Sequence, residues 1–300
     1  MSSSAKTVSF ISASGGVGKT TLSAYLAMWL LENKRVTSSR LLLVDLDPTA
    51  GLSLSLMREE EYQQSVDEKR SLVELYESFF TRGVASANIE DFVTKVKHGG
   101  EYWLNILVPG EELDRMVDEL WRPGNPGPSF RRLMERSGVY ARYDYVIFDS
   151  APFFDARYTV LSLYAASRYV VVLRPSLVDF RRTTRMLGRL MKHYLNDFGL
   201  STGEFLGRFM GVFNLVRRGR EADALLAKGF RGVASARSKQ DERTSDLRSY
   251  VDTLENLINV SRSLIPLSAE ISRLELKELE KKSRKSLEEA LSDIFKHISR

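Results

Sequence analysis

Short apolar runs alternate with segments of helical spacing along most of the chain. The apolar runs predict strands at Thr7–Ala13, Arg40–Val44, Trp103–Val108, Tyr145–Phe148, Tyr169–Leu173 and Phe209–Phe213. Helical spacing predicts helices at Thr20–Leu31, Ser71–Phe80, Phe130–Ser137 and Thr183–Phe198, a mostly helical stretch at Glu221–Val260, and a last helix from about Glu270 to His297. Apolar strands that alternate with helices are typical of a mostly parallel sheet covered on both faces. We therefore expect an α/β fold with one doubly wound sheet, in a single domain spanning residues 1–300.

Two features modify this pattern. The stretch Arg122–Pro128 holds three prolines and two glycines, a density that predicts a loop. The last helix is expected to break near Lys282 and to carry an apolar face, formed by Leu287, Leu291, Ile294, Phe295 and Ile298. Such a face could bind a membrane or pack on the domain. Mixed charges on the opposite face favour packing, because membrane-surface helices prefer a uniformly basic face.

The amino-acid composition limits the kinds of functional site that the chain can form. The chain has 300 residues, 43% of them hydrophobic, which is enough for one large domain. It has no cysteine, which excludes disulfides, thiolate metal sites and cysteine-ligated iron–sulfur clusters. Its three histidines show no metal-ligand spacing. The polar segment Met1–Thr7 does not resemble a secretory signal, and the longest apolar run is strand-sized, so we expect a cytoplasmic protein.

A glycine-rich motif lies between the first predicted strand and the first predicted helix. It reads Ser14-Gly15-Gly16-Val17-Gly18-Lys19-Thr20-Thr21. Its glycines let backbone N–H groups approach a phosphate, and the helix N-terminus adds its positive end. Lys19 is expected to reach the β- and γ-phosphates, and the Thr20 hydroxyl to ligate Mg²⁺. A glycine-rich turn without a ligand is the alternative, but the strand before and the helix after favour a site for ATP and Mg²⁺.

Polar side chains follow several predicted strands. Asp45 and Asp47 come after the second strand, Asp149 after the fourth and Asn214 after the sixth. In a parallel sheet the carboxyl ends of the strands face the ligand. Asp45 could equally well make a structural hydrogen bond near the loop.

Together these motifs resemble the ParA/MinD family of positioning ATPases, which carry a deviant phosphate loop. The match in that loop runs from Gly15 to Thr21. Further family motifs resemble Leu42–Pro48, Leu104–Gly110, Tyr143–Pro152 and Ile265–Ser272, in the same order along the chain. The resemblance covers roughly residues 6–275.

The resemblance implies a P-loop NTPase fold and a set of residue roles. Lys19 and Asp47 would act in hydrolysis, Asp47 by positioning the attacking water. Thr20 and Asp149 would hold Mg²⁺, Asn214 would bind adenine and Pro266 would sit beside the base. Nucleotide phosphates would be bound by Gly15, Gly16, Val17, Gly18, Lys19, Thr20 and Thr21. The family further implies an ATP-dependent homodimer with slow hydrolysis, an ATPase-stimulating partner protein, and a cargo positioned over nucleoid DNA.

Three departures from the family pattern matter. The family's signature lysine, which reaches the partner's phosphates across the dimer, is Ser14 here. Arg157 is our first candidate for a substitute cation, and Arg181 and Arg182 are the next. Thr49-Ala50-Gly51 replaces the usual Gln-Gly-Asn, and Ala151 replaces a proline.

Two stretches of the chain are strongly basic. Arg174–Lys192 holds six basic residues and one acidic residue, and Arg208–Lys239 holds eight and two; the net charge is +5. Such an excess predicts a basic face for nucleic acid or anionic lipid. Arg217, Arg218 and Arg220 could hold DNA phosphates, although a solvated loop explains each arginine as well. Since ParA-like dimers bind DNA non-specifically through a basic surface, non-specific DNA is the expected partner and a membrane is not.

Two other functions stay open. An enzyme of the same fold could couple ATP to the synthesis of a small molecule, but no acceptor pocket is recognisable in the sequence. A regulatory module could bind nucleotide and a partner without useful turnover. The absence of the signature lysine is compatible with that alternative.

Overall fold

Eight strands form the sheet of the computed structural model, which describes residues 5–83, 87–98, 102–122, 124–217, 253–274 and 279–300. They are β1 (Lys6–Ile11), β2 (Leu41–Leu46), β3 (Thr94–His98), β4 (Tyr102–Leu107), β5 (Tyr145–Ser150), β6 (Arg168–Leu173), β7 (Phe209–Phe213) and β8 (Asn259–Val260). Their order is β3-β4-β2-β5-β1-β6-β7-β8. Strand β3 runs antiparallel to β4, whereas the pairs β4–β2, β2–β5, β5–β1 and β7–β8 are parallel.

Helices connect the strands along the chain. They are α1 (Lys19–Glu32), α2 (Gly51–Leu56), α3 (Glu59–Asp67), α4 (Leu72–Phe80), α5 (Leu113–Trp121), α6 (Pro126–Arg136), α7 (Val139–Arg142), α8 (Ala156–Ala165), α9 (Leu177–Tyr194), α10 (Thr202–Leu206), α11 (Ala269–Ser272) and α12 (Lys281–Ile298). The β1–α1–β2 and β5–α8–β6 connections run in opposite directions along the sheet. Since such crossovers are right-handed, α1 and α8 cover opposite faces. The predicted fold class, a doubly wound and mostly parallel sheet, is confirmed.

The chain divides into two compact units. The first comprises Met1–Ile11 and Lys19–Tyr169. Its core is the buried apolar set on β1, β2 and β5, including Val8, Leu42 and Ile147, none of which is exposed. Helix α6 packs on α8 so closely that a Cβ on Gly127 would lie 2.1 Å from the Tyr164 ring.

The second unit comprises Ser12–Gly18 and Val170–Arg300. Phe180 of α9 packs on Phe213 of β7 with ring centroids 5.5 Å apart. Helix α12 contacts β7, and Leu287, Leu291, Ile294 and Ile298 of its apolar face are buried. A single domain over residues 1–300 stays a prediction.

Several predicted boundaries are wrong. The expected loop at Arg122–Pro128 gives way to α6 at Pro126, because proline is tolerated in the first turn of a helix, where its missing N–H has no partner to lose. Helix α9 begins at Leu177, six residues before the expected start. The predicted helical stretch to Val260 ends instead in β8, and its residues 221–252 lie outside the described part of the chain.

Within the described residues, no helix is both long enough and apolar enough to cross a membrane.

Candidate functional site

Two buried carboxylates face each other on neighbouring strands of the first unit. Asp45 of β2 and Asp149 of β5 are in register, and neither is exposed. Both strands are continuous apolar runs up to these positions, so the sheet delivers the carboxylates at its carboxyl end. Buried charges need compensating partners, and α1 and α2 supply them.

Asp149 receives its hydrogen bonds from α1. The Thr20 hydroxyl donates to its Oδ2 over 2.6 Å, and the Ser23 hydroxyl donates to its Oδ1 over 3.1 Å. Burial raises the pKa of Asp149 to about 6, although the charge of Lys19 opposes the shift. Lys19 is itself only 6% exposed; burial lowers its pKa, and Asp149 and Asp47 partly offset that shift. This cluster combines one ammonium, two hydroxyls and one carboxylate, and the Lys19 ammonium, the Thr20 hydroxyl and the Asp149 carboxylate are the groups that a metal–phosphate group requires.

Asp45 has a structural role. Its Oδ2 accepts from the backbone N–H and the hydroxyl of Ser53, over 2.9 and 2.8 Å, and its Oδ1 accepts from the N–H of Asp47 over 3.1 Å. Burial, followed by the charge of Asp149, raises the pKa of Asp45 to about 7. Through these hydrogen bonds the carboxyl group holds α2 and the 46–50 turn against β2. This is the structural alternative given for Asp45 in the sequence analysis.

Asp47 lies in that turn and is half-buried. Its Oδ1 accepts from the N–H and the hydroxyl of Thr49, over 3.0 and 2.7 Å. Thr49 is one of the departures from the family pattern, and it orients the carboxylate for which a water-positioning role is predicted.

Asn214 lies against the glycine-rich loop in the second unit. Its Nδ2 donates to the Val17 carbonyl over 2.8 Å. Gly18 has φ of +88°, and a Cβ there would lie 2.2 Å from Nδ2, so only glycine allows this approach. Asn214 Oδ1 is buried and has no hydrogen-bond partner in the described structure. An orphaned buried acceptor is a place where a ligand can supply the missing donor.

Ser14 occupies the position of the missing lysine, and it contacts α9. Its hydroxyl donates to Asp179 Oδ1 over 2.6 Å, and Asp179 Oδ2 pairs with Arg174 Nε at 2.9 Å. Burial alone would raise the pKa of Asp179, but the Ser14 and Arg174 contacts hold it below its ordinary value. Arg182 Nη1 makes a longer contact of 3.4 Å with Ser14 Oγ. The sequence did not indicate Asp179, Arg174, Ser23 or Ser53; of these, Ser23 was detectable, four residues after Lys19 on the same helix face.

Arg157 is held within the first unit. Its Nε and Nη2 bind Asp155 at 2.9 and 2.5 Å, and its Nη1 pairs with Asp118. The substitute-cation role predicted for Arg157 stays a prediction.

The other predicted binding residues lie as follows. Gly15 and Gly16 are exposed, Val17 is buried and Thr21 is half-buried on α1. Pro266 forms an isolated parallel bridge with Val216. Arg217 is exposed, whereas Arg218 and Arg220 lie outside the described residues. In the described residues no cluster of histidine, aspartate and glutamate is arranged to hold a metal by itself.

Comparison with known proteins identifies relatives of this chain. The family model AAA_31, described as an AAA domain, matches residues 5–193. A curated protein named "Putative replication protein A" from Sinorhizobium fredii is 27% identical over 201 residues, which are 62% of this chain and 44% of that protein. The match thus spans less than half the length of that relative.

Three solved structures show the same fold. Apo McdA from Cyanothece has a TM-score of 0.66 at 18% identity, covering 96% of this chain and 98% of that one. The pNOB8 ParA structure has a TM-score of 0.61 at 20% identity, covering 99% and 98%. Cobyrinic acid a,c-diamide synthase from Mycobacterium smegmatis, with an ATP analogue and magnesium, has a TM-score of 0.62 at 16% identity, covering 98% and 96%. The resemblance drawn from the motifs is confirmed at the level of the fold.

The raised carboxyl pKa values predict a pH dependence of stability. Without nucleotide and Mg²⁺, Asp45 and Asp149 stay protonated in the folded protein up to pH values at which they are ionised in the unfolded chain. Unfolding then releases protons, so the free energy of unfolding should fall as pH rises from about 5 to 7 and level off above that. At about 1.4 kcal/mol per unit of pKa difference, Asp45 over about two pH units and Asp149 over about one give an expected loss of about 4 kcal/mol. Urea denaturation at several pH values measures it.

Two variants sharpen this measurement. Asp45→Asn should reduce the slope, because its side chain does not titrate. Asp144→Asn is the matched control: Arg40 lowers the pKa of this surface carboxyl, so its titration lies below the range and the slope should not change. A flat profile in the unmodified protein would contradict the assigned burial of the two carboxylates.

Proposed function

The chain belongs to the AAA_31 family of AAA domains, and from that premise we propose that it is a ParA-like ATPase. It binds MgATP, dimerises on ATP, hydrolyses it slowly and uses the cycle to position a cargo over DNA. The observation that carries the proposal is the orphaned Oδ1 of Asn214, on a side chain that also binds the Val17 carbonyl of the loop. The side chain proposed to accept from the adenine base is thereby hydrogen-bonded to the phosphate-binding motif.

The residues of the motif have distinct roles in this proposal. Successive N–H groups of the loop bind phosphate oxygens, and Lys19 neutralises the β- and γ-phosphates. Thr20 and Asp149 are already joined by a hydrogen bond, so both can orient one hydrated cation. Mg²⁺ held by Thr20 and Asp149 would reduce the negative charge of the phosphates. Asp47, oriented by Thr49, holds the attacking water.

Two substitutions separate binding from turnover. Lys19→Ala removes the main side-chain charge on the phosphates, so it should abolish ATP-dependent dimerisation. Asp47→Ala removes only the water-positioning group, so it should keep ATP binding, slow turnover at least tenfold and accumulate the ATP-bound dimer. Nucleotide titration, phosphate release and light scattering measure the three properties.

Lys95→Ala, at an exposed lysine on β3, is the control and should match the unmodified protein. Wild-type dimerisation by Lys19→Ala would refute the phosphate-site assignment. Unchanged turnover in Asp47→Ala would refute only the role of Asp47.

A small-molecule enzyme is the second candidate, since cobyrinic acid a,c-diamide synthase shares the fold. Such an enzyme would form ADP only with an acceptor. ADP formation that requires a small acid and is indifferent to DNA would therefore favour it over the positioning ATPase.

The proposal also assigns a cation to replace the signature lysine. Arg157, the first candidate, would have to leave Asp155 and Asp118 to reach a phosphate. Arg182 is exposed and already contacts Ser14, the position at which the lysine is missing. The contact makes Arg182 the stronger candidate, and Arg181 beside it is a natural comparison.

We expect Arg182→Ala to lower the ATPase rate at least tenfold while weakening monomeric nucleotide binding little. The reason is that a charge supplied to the transition state affects turnover more than ground-state binding. Arg181→Ala, a neighbour of equal charge, should keep the wild-type rate. Single-turnover hydrolysis and nucleotide titration of the three arginine variants measure this. A loss confined to Arg157→Ala would restore the first candidate.

A basic stripe on α9 supports DNA as the partner. Arg181, Arg185, Arg189 and Lys192 are exposed and follow each other at intervals of four, four and three residues, so they share one helix face. The buried residues Phe180, Met186, Leu187 and Leu190 hold the opposite face in the core. Phosphate contacts from such a stripe carry no base information, so binding should be independent of sequence.

ATP should strengthen DNA binding, because a dimer doubles the number of cations presented. Binding should weaken with salt at a log–log slope of roughly −0.9 per phosphate contact. Replacing Arg185, Arg189 and Lys192 with Ala should flatten that slope, and so should replacing Arg217, Arg218 and Arg220 with Ala. Salt titrations against random duplex, with ATP and with ADP, measure this.

Replacing Arg58, Arg70 and Lys95 with Ala removes the same charge from the first unit and should leave the slope unchanged. Equal binding in both nucleotide states, or none in either, would favour the regulatory module. Binding to anionic vesicles, lost on replacing Leu291 and Phe295 with Ser, would favour a membrane partner.

A further inference from the structure

Side-chain hydrogen bonds hold the glycine-rich loop at both of its ends within the second unit. At the far end Asn214 donates to the Val17 carbonyl, as described above. At the near end the Ser12 hydroxyl donates to the Ser14 carbonyl over 2.6 Å. The Ser14 hydroxyl in turn donates to Asp179 Oδ1, also over 2.6 Å. This last bond joins the loop to α9.

The bonds matter because the backbone between them is conformationally free by nature. Gly16 and Gly18 have φ of +65° and +88°, a region that other residues rarely adopt. A glycine-rich segment without restraints has many conformations, and fixing one of them costs free energy when a ligand binds. Contacts that order the loop beforehand reduce that cost and so increase the affinity for the ligand.

Asp179 is well placed to order the loop, because it is itself held in position. It lies in the first turn of α9, and its N–H donates to the hydroxyl of Ser176, the N-cap residue. Its side chain is 2% exposed, and its Oδ2 binds Arg174 Nε at 2.9 Å. Both carboxylate oxygens are therefore bound, and the guanidinium offsets the negative charge that would otherwise repel a phosphate.

We propose that Asp179 is a positioning residue for nucleotide binding: through Ser14 it holds the start of the loop in the conformation that receives phosphate. Asp179 itself does not touch the nucleotide. The proposal rests on the proposed function, which supplies the nucleotide, but the order of the loop can be measured without any ligand.

Three single variants separate the hydrogen bond from the charge of Asp179. Ser14→Ala removes the donor and Asp179→Ala removes the acceptor, whereas Asp179→Asn removes the charge and keeps an oxygen that can accept from Ser14. Ser14→Ala and Asp179→Ala should each weaken ADP binding about tenfold, because a hydrogen bond to a charged group is lost. Asp179→Asn should bind ADP more tightly than Asp179→Ala does. Calorimetric titration of the full chain measures these affinities.

The double variant Ser14→Ala/Asp179→Ala tests whether the two residues act through one bond. It should bind ADP no more weakly than the weaker of the two single variants, because both changes remove the same interaction. Additive losses would show that the residues act separately and would overturn the proposal.

Turnover distinguishes a positioning role in binding from a role in the chemical step. At saturating ATP the ATPase rate of the variants should stay within about twofold of the unmodified protein, while KM rises about tenfold in the two alanine variants. A fall in the rate at saturating ATP with unchanged KM would contradict the assigned role.

Hydrogen exchange measures the loop directly in the protein without nucleotide. In peptides that cover residues 12–18, exchange should be about tenfold faster in each alanine variant, because the loop opens more easily. Exchange at the unmodified rate in both alanine variants would overturn the proposal. If the unmodified protein binds no nucleotide, the ATPase proposal fails, and the exchange rates alone decide whether Asp179 holds the loop.

Asp293→Ala is the matched control. Asp293 accepts from the Ser261 hydroxyl over 3.0 Å and pairs with Lys296 at 3.3 Å, so it loses the same kinds of contact in the same unit without touching the loop. It should keep the unmodified loop exchange and ADP affinity. Equal changes in Asp293→Ala would assign the effect to a general loss of stability and would overturn the proposal.

Discussion

The burial of Asp149 at the end of β5 is the constraint on which the first unit depends. A carboxylate without exposure is costly unless charge and hydrogen bonds compensate it. Among the described residues, its hydrogen-bond donors Thr20 and Ser23 and its nearby cation Lys19 all come from α1. The first turn of α1 is thus fixed against β5, and the phosphate-binding motif ends at that turn. The groups that would bind phosphate and metal are therefore the same groups that compensate the burial of the Asp149 carboxylate.

The same constraint explains why the neighbouring strand ends as it does. Asp45 lies in register with Asp149, and two ionised carboxylates at that spacing would repel each other. The pKa of Asp45, raised to about 7, relieves the repulsion by keeping it partly protonated near neutrality. Its hydrogen bonds from Ser53 and from the Asp47 backbone then hold the turn that carries the Asp47 side chain. A buried, structural aspartate thereby positions an accessible one.

Much of this arrangement could be predicted from sequence, because it depends on local patterns. Apolar runs bounded by polar residues marked six of the eight strands, and the strand–glycine–helix order marked the phosphate loop. Contacts between distant residues could not be predicted. Nothing in the local pattern showed that Asp179 would meet Ser14, 165 residues away, or that β8, two residues long, would pair with β7. The start of α6 differs from the prediction for another reason: a high density of proline and glycine is typical of a loop, but proline in the first turn of a helix is compatible with the helix.

The Ser14 contacts bear on how the chain departs from its relatives. Ser14 is 5% exposed and donates to Asp179, whose other oxygen is held by Arg174. A lysine at position 14 would place a third cation beside Arg174 and Arg182, with one carboxylate to balance them. Serine instead leaves the position neutral, and its hydroxyl completes the bonding of Asp179. The positive charge beside the loop is therefore carried by Arg174 and by Arg182 of α9, and serine at position 14 is compatible with both.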